Sequence, residues 1–235
     1  MDMKHLLRAC LFALLMMWGL NTFAVELSYQ VALKQPGNPA VTYKLDKTGG
    51  NLVASQPIPL TIQEDLEKKG DECRLTLTLT ARETVYFNIG VTANTGFSTP
   101  QCEFYLPGFW YHKNLRSPAE APSFHTSDSW NFREDRLSAP LTGVYDTASG
   151  RSLTVIRMPD AHPADALLTH QEVEVILGGR SSLGYLGFDN AGSMARLTFG
   201  YPFVETPKRY IRKLTLVAPI STFAKIEKGE RMVVE

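Results

Sequence analysis

Much of the chain is written in alternation. Val25, Leu27, Tyr29, Val31 and Leu33 fall on one side of a segment at 25–34, the period-2 pattern of a half-buried strand. The Pro36-Gly37-Asn38-Pro39 cluster breaks it. Residues 41–45, a turn at 47–50 and residues 51–55 continue as a meander of antiparallel hairpins. The clearest alternation is at 73–81, where Leu75, Leu77 and Leu79 oppose Thr76, Thr78 and Thr80. Threonine fits a pleated, half-exposed surface. Val85, Phe87, Ile89 and Val91 repeat the pattern within 84–94. The short Ala81-Arg82-Glu83 link makes those two strands expected hairpin neighbours. Between them and the meander, 61–69 reads as a short helix. Glu64, Asp65 and Glu67 precede Lys68 and Lys69, in keeping with a helix dipole, and Gly70 ends it. A charged loop is the alternative.

Further along, 141–145 and 152–157 flank Asp146-Thr147-Ala148-Ser149-Gly150, a hairpin turn by composition. Residues 158–170 are polar, carry two prolines and read as a loop. Strands are expected at 172–177, 183–188, 194–201 and 210–217, with Gly178-Gly179 and Asn190-Ala191-Gly192 as turns. Residues 223–226 and 231–234 flank a turn at Glu227-Lys228-Gly229-Glu230. That makes about a dozen strands, with no long helix and no repeat. The fold class is all-β: a large two-sheet antiparallel β-sandwich with one long aromatic-rich loop. The last strand has barely begun at Glu235. This abrupt finish leads to the expectation that the chain is the N-terminal part of a longer protein.

The first 24 residues change the picture. Lys4, His5 and Arg8 precede an apolar run at 11–20, and Thr22-Phe23-Ala24 supplies a small residue at the cut. That is the layout of a cleaved secretory signal peptide over 1–24, with the β domain over 25–235. The apolar run is shorter than the roughly 20 residues that a bilayer span takes, so a retained anchor is the lesser alternative. Cys10 precedes the apolar run and is badly placed for lipid attachment. A periplasmic or secreted location follows, with no membrane span after cleavage. The 24 basic and 24 acidic residues balance, which argues against nucleic acid or an anionic membrane as partner. Export permits a disulfide between Cys73 and Cys102; the other reading is two buried thiols in neighbouring strands. Two cysteines and scattered histidines do not make a zinc site, so neither a metal nor another cofactor is expected.

Chemistry concentrates in residues 105–146. Phe104, Tyr105, Phe109, Trp110 and Tyr111 crowd around a Pro107-Gly108 turn. Flat aromatic faces stack on the apolar faces of sugars while polar neighbours bond the hydroxyls. On that reading Trp110, Tyr111 and Trp130 are platforms, and His112, Asn114, Arg116, Asn131, Arg133 and Asp135 are polar partners. The other reading is that both tryptophans plug the end of the sandwich. Pro118-Ala119-Glu120-Ala121-Pro122 is stiff and lies in a long loop, a kind usually functional or disordered. The run Arg133-Glu134-Asp135-Arg136 is either a salt-bridged corner or an arginine site for a substrate carboxylate. Glycoside hydrolysis needs two facing carboxyls. Asp128, Glu134, Asp135 and Asp146 are available, but the sequence does not place them across a cleft. Ser127, Ser129, His112 and His125 lack a Gly-x-Ser-x-Gly elbow.

The segments 109–114, 129–137 and the closing Val217-Ala218-Pro219…Lys228-Gly229-Glu230 carry a family resemblance. With a leader and many short strands, the chain resembles the N-terminal β-sandwich domain of secreted bacterial glycosidases or polysaccharide lyases whose catalytic part is a six-hairpin α/α barrel. The resemblance implies a non-catalytic domain that packs on a downstream catalytic domain and supports or lines its substrate cleft. The partner would be an oligo- or polysaccharide. A self-standing carbohydrate-binding module is the alternative, and a small secreted glycoside hydrolase stands behind it.

Overall fold

The structure, a computed structural model, describes residues 25–112, 129–158, 173–179, 181–189, 192–206, 208–210, 214–217 and 219–235. For 110–112, 208–210 and 214–217 it describes the backbone. The expected leader at 1–24 and nearly all of the polar stretch at 158–170 lie outside the described residues, as does the centre of the aromatic excursion, including Asn114 and Arg116.

The chain is all-β. In order, the strands are β1 (Glu26–Lys34), β2 (Val41–Thr48), β3 (Asn51–Ala54), β4 (Leu60–Lys69), β5 (Glu72–Ala81) and β6 (Val85–Ser98). Then come β7 (Cys102–Leu106), β8 (Trp110–His112), β9 (Ser129–Arg133), β10 (Leu141–Asp146), β11 (Arg151–Ile156) and β12 (Glu174–Ile176). Last are β13 (Tyr185–Asp189), β14 (Met194–Tyr201), β15 (Val204–Glu205), β16 (Lys208–Tyr210), β17 (Leu214–Val217), β18 (Ile220–Ile226) and β19 (Arg231–Val234). Thirteen of them form one sheet, ordered β19-β5-β4-β3-β2-β1-β6-β14-β13-β9, with β18 joining β6, β12 and β15. This sheet curls into a half-barrel. A smaller sheet runs β11-β10-β7-β8, and β16–β17 is a separate hairpin. Pairing is antiparallel except between β12 and β18.

The two sheets are therefore very unequal, and two cores result. In the first, the large sheet closes over its own concave side around Val31, Ile62, Leu79, Phe87 and Ile89, none more than 1% exposed. In the second, the small sheet covers the other end of the large one. Phe104 of β7 stacks on Phe188 of β13 at 4.3 Å between ring centres, and Phe109 stacks on Phe132 of β9 at 4.0 Å. Offset stacking of this kind adds to the burial of each ring. Strand β6 serves both cores: Phe87 and Ile89 point into the first, Ala93 and Phe97 into the second.

Four expectations need correction. The segment at 61–69 is neither helix nor loop: it is β4, paired with β5 from Leu60↔Ala81 to Lys69↔Glu72. Leu60, Ile62, Glu64 and Leu66 share its inward side, and the charge of Glu64 disguised the alternation. Glu64 tolerates burial because Lys47 Nζ lies 2.7 Å from one oxygen and the Tyr29 hydroxyl donates to the other at 2.8 Å. Burial together with that carboxylate pushes the Tyr29 phenol well above its ordinary range. Secondly, β5 and β6 are not hairpin neighbours. The link between them crosses to other strands, with Arg82 Nη2 donating to Ile58 O at 2.9 Å. Thirdly, 210–217 is not one strand but parts of the β16–β17 hairpin. Fourthly, Cys73 and Cys102 are neither bonded to each other nor two buried thiols in neighbouring strands. Cys73 is exposed on β5 opposite Lys68; Cys102 is buried on β7 in the other sheet, its thiol facing Ser98 O at 3.2 Å.

Candidate functional site

Strand β9 and the single 3-10 turn after it, Glu134–Arg136, carry Trp130, Asn131, Arg133 and Asp135 of the residues that looked chemical. Alternation along β9 sends Trp130 and Phe132 into the second core, and Trp130 is 3% exposed with its ring 6.2 Å from that of Phe188. So placed, Trp130 has no face open to a sugar. Asn131 is half-buried on the opposite side; its side-chain oxygen accepts from the Thr198 hydroxyl at 2.5 Å, and its backbone N–H donates to the Thr206 hydroxyl at 3.0 Å. Gly187 of β13 faces it in register, and a Cβ there would meet Trp130 O at 2.0 Å. Only glycine lets β9 and β13 come this close.

The charge run that follows is tied down residue by residue. Arg133 Nε lies 2.5 Å from Asp135 Oδ1, and its guanidinium sits 5.2 Å from the Phe203 ring centre. Arg136 Nε pairs at 2.8 Å with Glu205, itself 3% exposed. Glu134 is buried with Arg157, Nε to Oε2 being 3.1 Å, and its other oxygen accepts the Gly184 N–H at 2.8 Å. Arg157 also donates to Gly200 O at 2.8 Å and to Ser182 O at 3.3 Å. Gly184 is a close-approach position, since an added Cβ would collide with the Arg157 guanidinium. Desolvation raises the Glu134 carboxyl pKa, against the pull of Arg157 and the Gly184 N–H. A perturbed buried acid is a catalytic signature in an open cleft. Here it faces an arginine and backbone inside the protein, and acts as a corner joining β9, β11, β13 and β14. Each arginine of this corner is paired with a framework carboxylate.

Asp146 is also occupied. It closes the β10–β11 turn, accepting from the Ala148 N–H at 3.1 Å and from the Ser149 hydroxyl and N–H, contacts that hold its carboxyl below the ordinary value. Glu134 and Asp146 therefore do not form the facing carboxyl pair that glycosidic cleavage needs. Among the described residues no group of three or more His, Cys, Asp or Glu side chains is gathered for a metal.

The open chemistry lies on the outer face of the small sheet. In β7, Phe104 and Leu106 point inward, which turns Tyr105 out at 43% exposed. In β10, Val144 and Asp146 point inward, which turns Tyr145 out at 44%. Tyr105 is paired with Gly143, so Tyr145 is its diagonal neighbour on the same face, roughly 7–8 Å away for such positions. Gly143 itself is buried: a Cβ there would lie 3.3 Å from the Thr154 hydroxyl and 3.9 Å from Tyr105 Cβ. Thr154, Ser152 and the exposed Ile156 of β11 continue the face. On the other side, register sets Tyr111 of β8 opposite Tyr105. The chain leaves β8 directly into the excursion at 113–128. Trp110 and His112 occupy the two remaining β8 positions, opposite Leu106 and Phe104.

Two other hollows are shallower in chemistry. One of about 490 Å³ lies by the 227–230 turn, with Leu177, Tyr201 and Met232 below Lys225 and Glu230. One of about 330 Å³ lies between Gly50 and Glu64. Of the expected site residues, then, Asn131, Arg133 and Asp135 sit near one another as framework, Trp130 is core, and Tyr111 adjoins the open face. Tyr105 and Tyr145 were not singled out from sequence. The inward Phe104, Leu106 and Val144 on either side of them were the available signal. No protein-family model, curated protein or solved structure matches the chain.

Proposed function

We propose that this chain is a non-catalytic, glycan-facing β domain of a secreted glycan-degrading enzyme, contacting the polysaccharide through the outer face of its small sheet. The observation that carries the reading is the pair of outward tyrosines, Tyr105 and Tyr145, diagonal neighbours on one face of the sheet. Two aromatic rings on one face of a sheet suit a sugar chain, whose C–H faces stack while its hydroxyls meet Thr154 and Ser152. The engagement of Glu134, Asp135 and Asp146 in the framework supports a binding role over bond cleavage. The acid and base would come from the catalytic domain that the family resemblance implies, and the leader at 1–24 would place the work outside the cytoplasm.

Native affinity electrophoresis through gels cast with a panel of glycans tests this. The chain is expected to be retarded by at least one glycan, the Tyr105→Ala/Tyr145→Ala double variant to migrate as in a blank gel, and neither to release reducing or unsaturated ends. Migration unchanged by every glycan would sink the binding reading. Glycan cleavage by the purified chain that disappears in Glu134→Gln/Asp135→Asn would replace it with a hydrolase.

A further inference from the structure

We propose that the hollow of about 330 Å³ between the β2–β3 turn and β4 is a second sugar subsite, built on the large sheet and sharing no residue with the tyrosine face. Its chemistry is narrow and of one kind, with hydrogen-bonding side chains and bare backbone in place of rings. Asn51 of β3 and Thr78 of β5 both stand opposite Gln63 of β4, one on each side. Cross-strand partners share a face of the sheet, so two amides and a hydroxyl form a row across three strands. Asp65, two residues beyond Gln63, joins the same face. Alternation sends the intervening Glu64 to the other side, where Lys47 and Tyr29 hold it. Since β3 begins at Asn51, the hollow is walled beside Glu64 by the Gly49-Gly50 turn instead of by a strand. Gly50 O accepts the Glu64 N–H at 2.8 Å, which fixes that wall against β4. A Cβ on Gly49 would meet nothing within 4 Å, so there is open space beside the turn.

The ligand class follows from the groups the hollow offers. Asn51, Gln63 and Asp65 are exposed and Thr78 is half-buried. A sugar ring presents adjacent hydroxyls, each a donor and an acceptor at once. Amides donate through nitrogen and accept through oxygen, a threonine hydroxyl does both, and a carboxylate accepts from two hydroxyls together. An apolar ligand would strip water from these groups and return no hydrogen bonds. A calcium ion would use the oxygens alone and leave the amide donors idle, and affinity for it falls with the number of charged ligands. Asp65 is the one carboxylate on this face of the hollow.

Saturation-transfer NMR on the full chain, with the methyl glycosides of glucose, galactose, mannose and xylose as probes, tests the subsite. The Tyr105→Ala/Tyr145→Ala variant is the starting protein, so that the tyrosine face does not contribute. Transfer to at least one glycoside is expected there. Adding Asp65→Ala and Gln63→Ala is expected to weaken it by at least about tenfold in affinity. The four substituted residues are exposed, and an unchanged urea midpoint confirms that the variants fold. Transfer seen in the parent and absent from the tyrosine variant overturns the subsite and leaves the tyrosine face standing. Transfer that survives all four substitutions also overturns it. A urea midpoint raised by calcium chloride only while Asp65 and Gln63 are present, with no glycoside bound by the tyrosine variant, replaces the sugar with a cation and overturns the ligand class.

Discussion

At the scale of single residues, the direction in which an aromatic side chain points decides its role. Trp130 and Tyr105 lie close to the same excursion and look equally suited to a sugar, yet the pleat turns one into the core and the other to solvent. Their substitutions should part accordingly. Trp130→Ala removes a large ring stacked beside Phe188 and is expected to cost about 3–5 kcal/mol in urea unfolding. Tyr105→Ala is expected to stay within about 0.5 kcal/mol of the parent. A Trp130→Ala protein as stable as the parent would show that the ring is not core. The charged residues divide on the same principle. Glu134 and Arg157 go below the surface as a pair whose desolvation is partly offset by hydrogen bonds from Gly184 and to Gly200. Arg133 and Asp135 stay half out and matter less to stability.

Elements show where the sequence was legible and where it was not. Strands with clean alternation were read well: 194–201 and 231–234 coincide with β14 and β19, and 73–81 differs from β5 by one residue. Reading failed at β4 because one inward position holds a glutamate, and a charge on the buried side looks like the end of a pattern. It failed again at the β5–β6 link, since a short connection can jump across a curled sheet as readily as it can turn back. The candidate face was hidden for a third reason. Tyr105 and Tyr145 are separated by forty positions in the chain and become neighbours only through the β7–β10 register. Long-range clips of this sort also bind the elements together. Glu174 at the start of β12 pairs with Lys34 Nζ at 2.7 Å and accepts the Ala40 N–H at 3.1 Å, pinning β12 to the β1–β2 connection. The hydrogen bond from Lys34 holds the Glu174 carboxyl below its ordinary value of 4.5. A depressed carboxyl stabilises the fold above the unfolded pKa, and that contribution is lost as pH falls through the folded one. The stability gap between the parent and Glu174→Gln should therefore shrink from about pH 7 to about pH 3. A gap that stays constant over that range would assign the stabilisation to something other than the ionised carboxylate.

For the molecule as a whole, the question is whether two cores mean two folding units. Strand β6 runs through both, which argues for one cooperative transition. Cys102, buried in the second core, is a reporter for it, while Cys73 is exposed from the start. Ile62→Ala, made wholly in the first core, is expected to cost roughly 2–5 kcal/mol and to speed thiol labelling of Cys102 in moderate urea by the matching factor. Labelling of Cys102 left unchanged while the first core unfolds would show that the halves melt separately. The same strand has a consequence under load. Along β6 one ladder runs to β1 for the whole length of β1, and on the other edge stand β18 and then β14. Tension applied along this strand has to shear the hydrogen bonds on both edges at once, whereas β19, held by β5, can be peeled away. Whatever load reaches the domain along this strand, β6 is its tensile member.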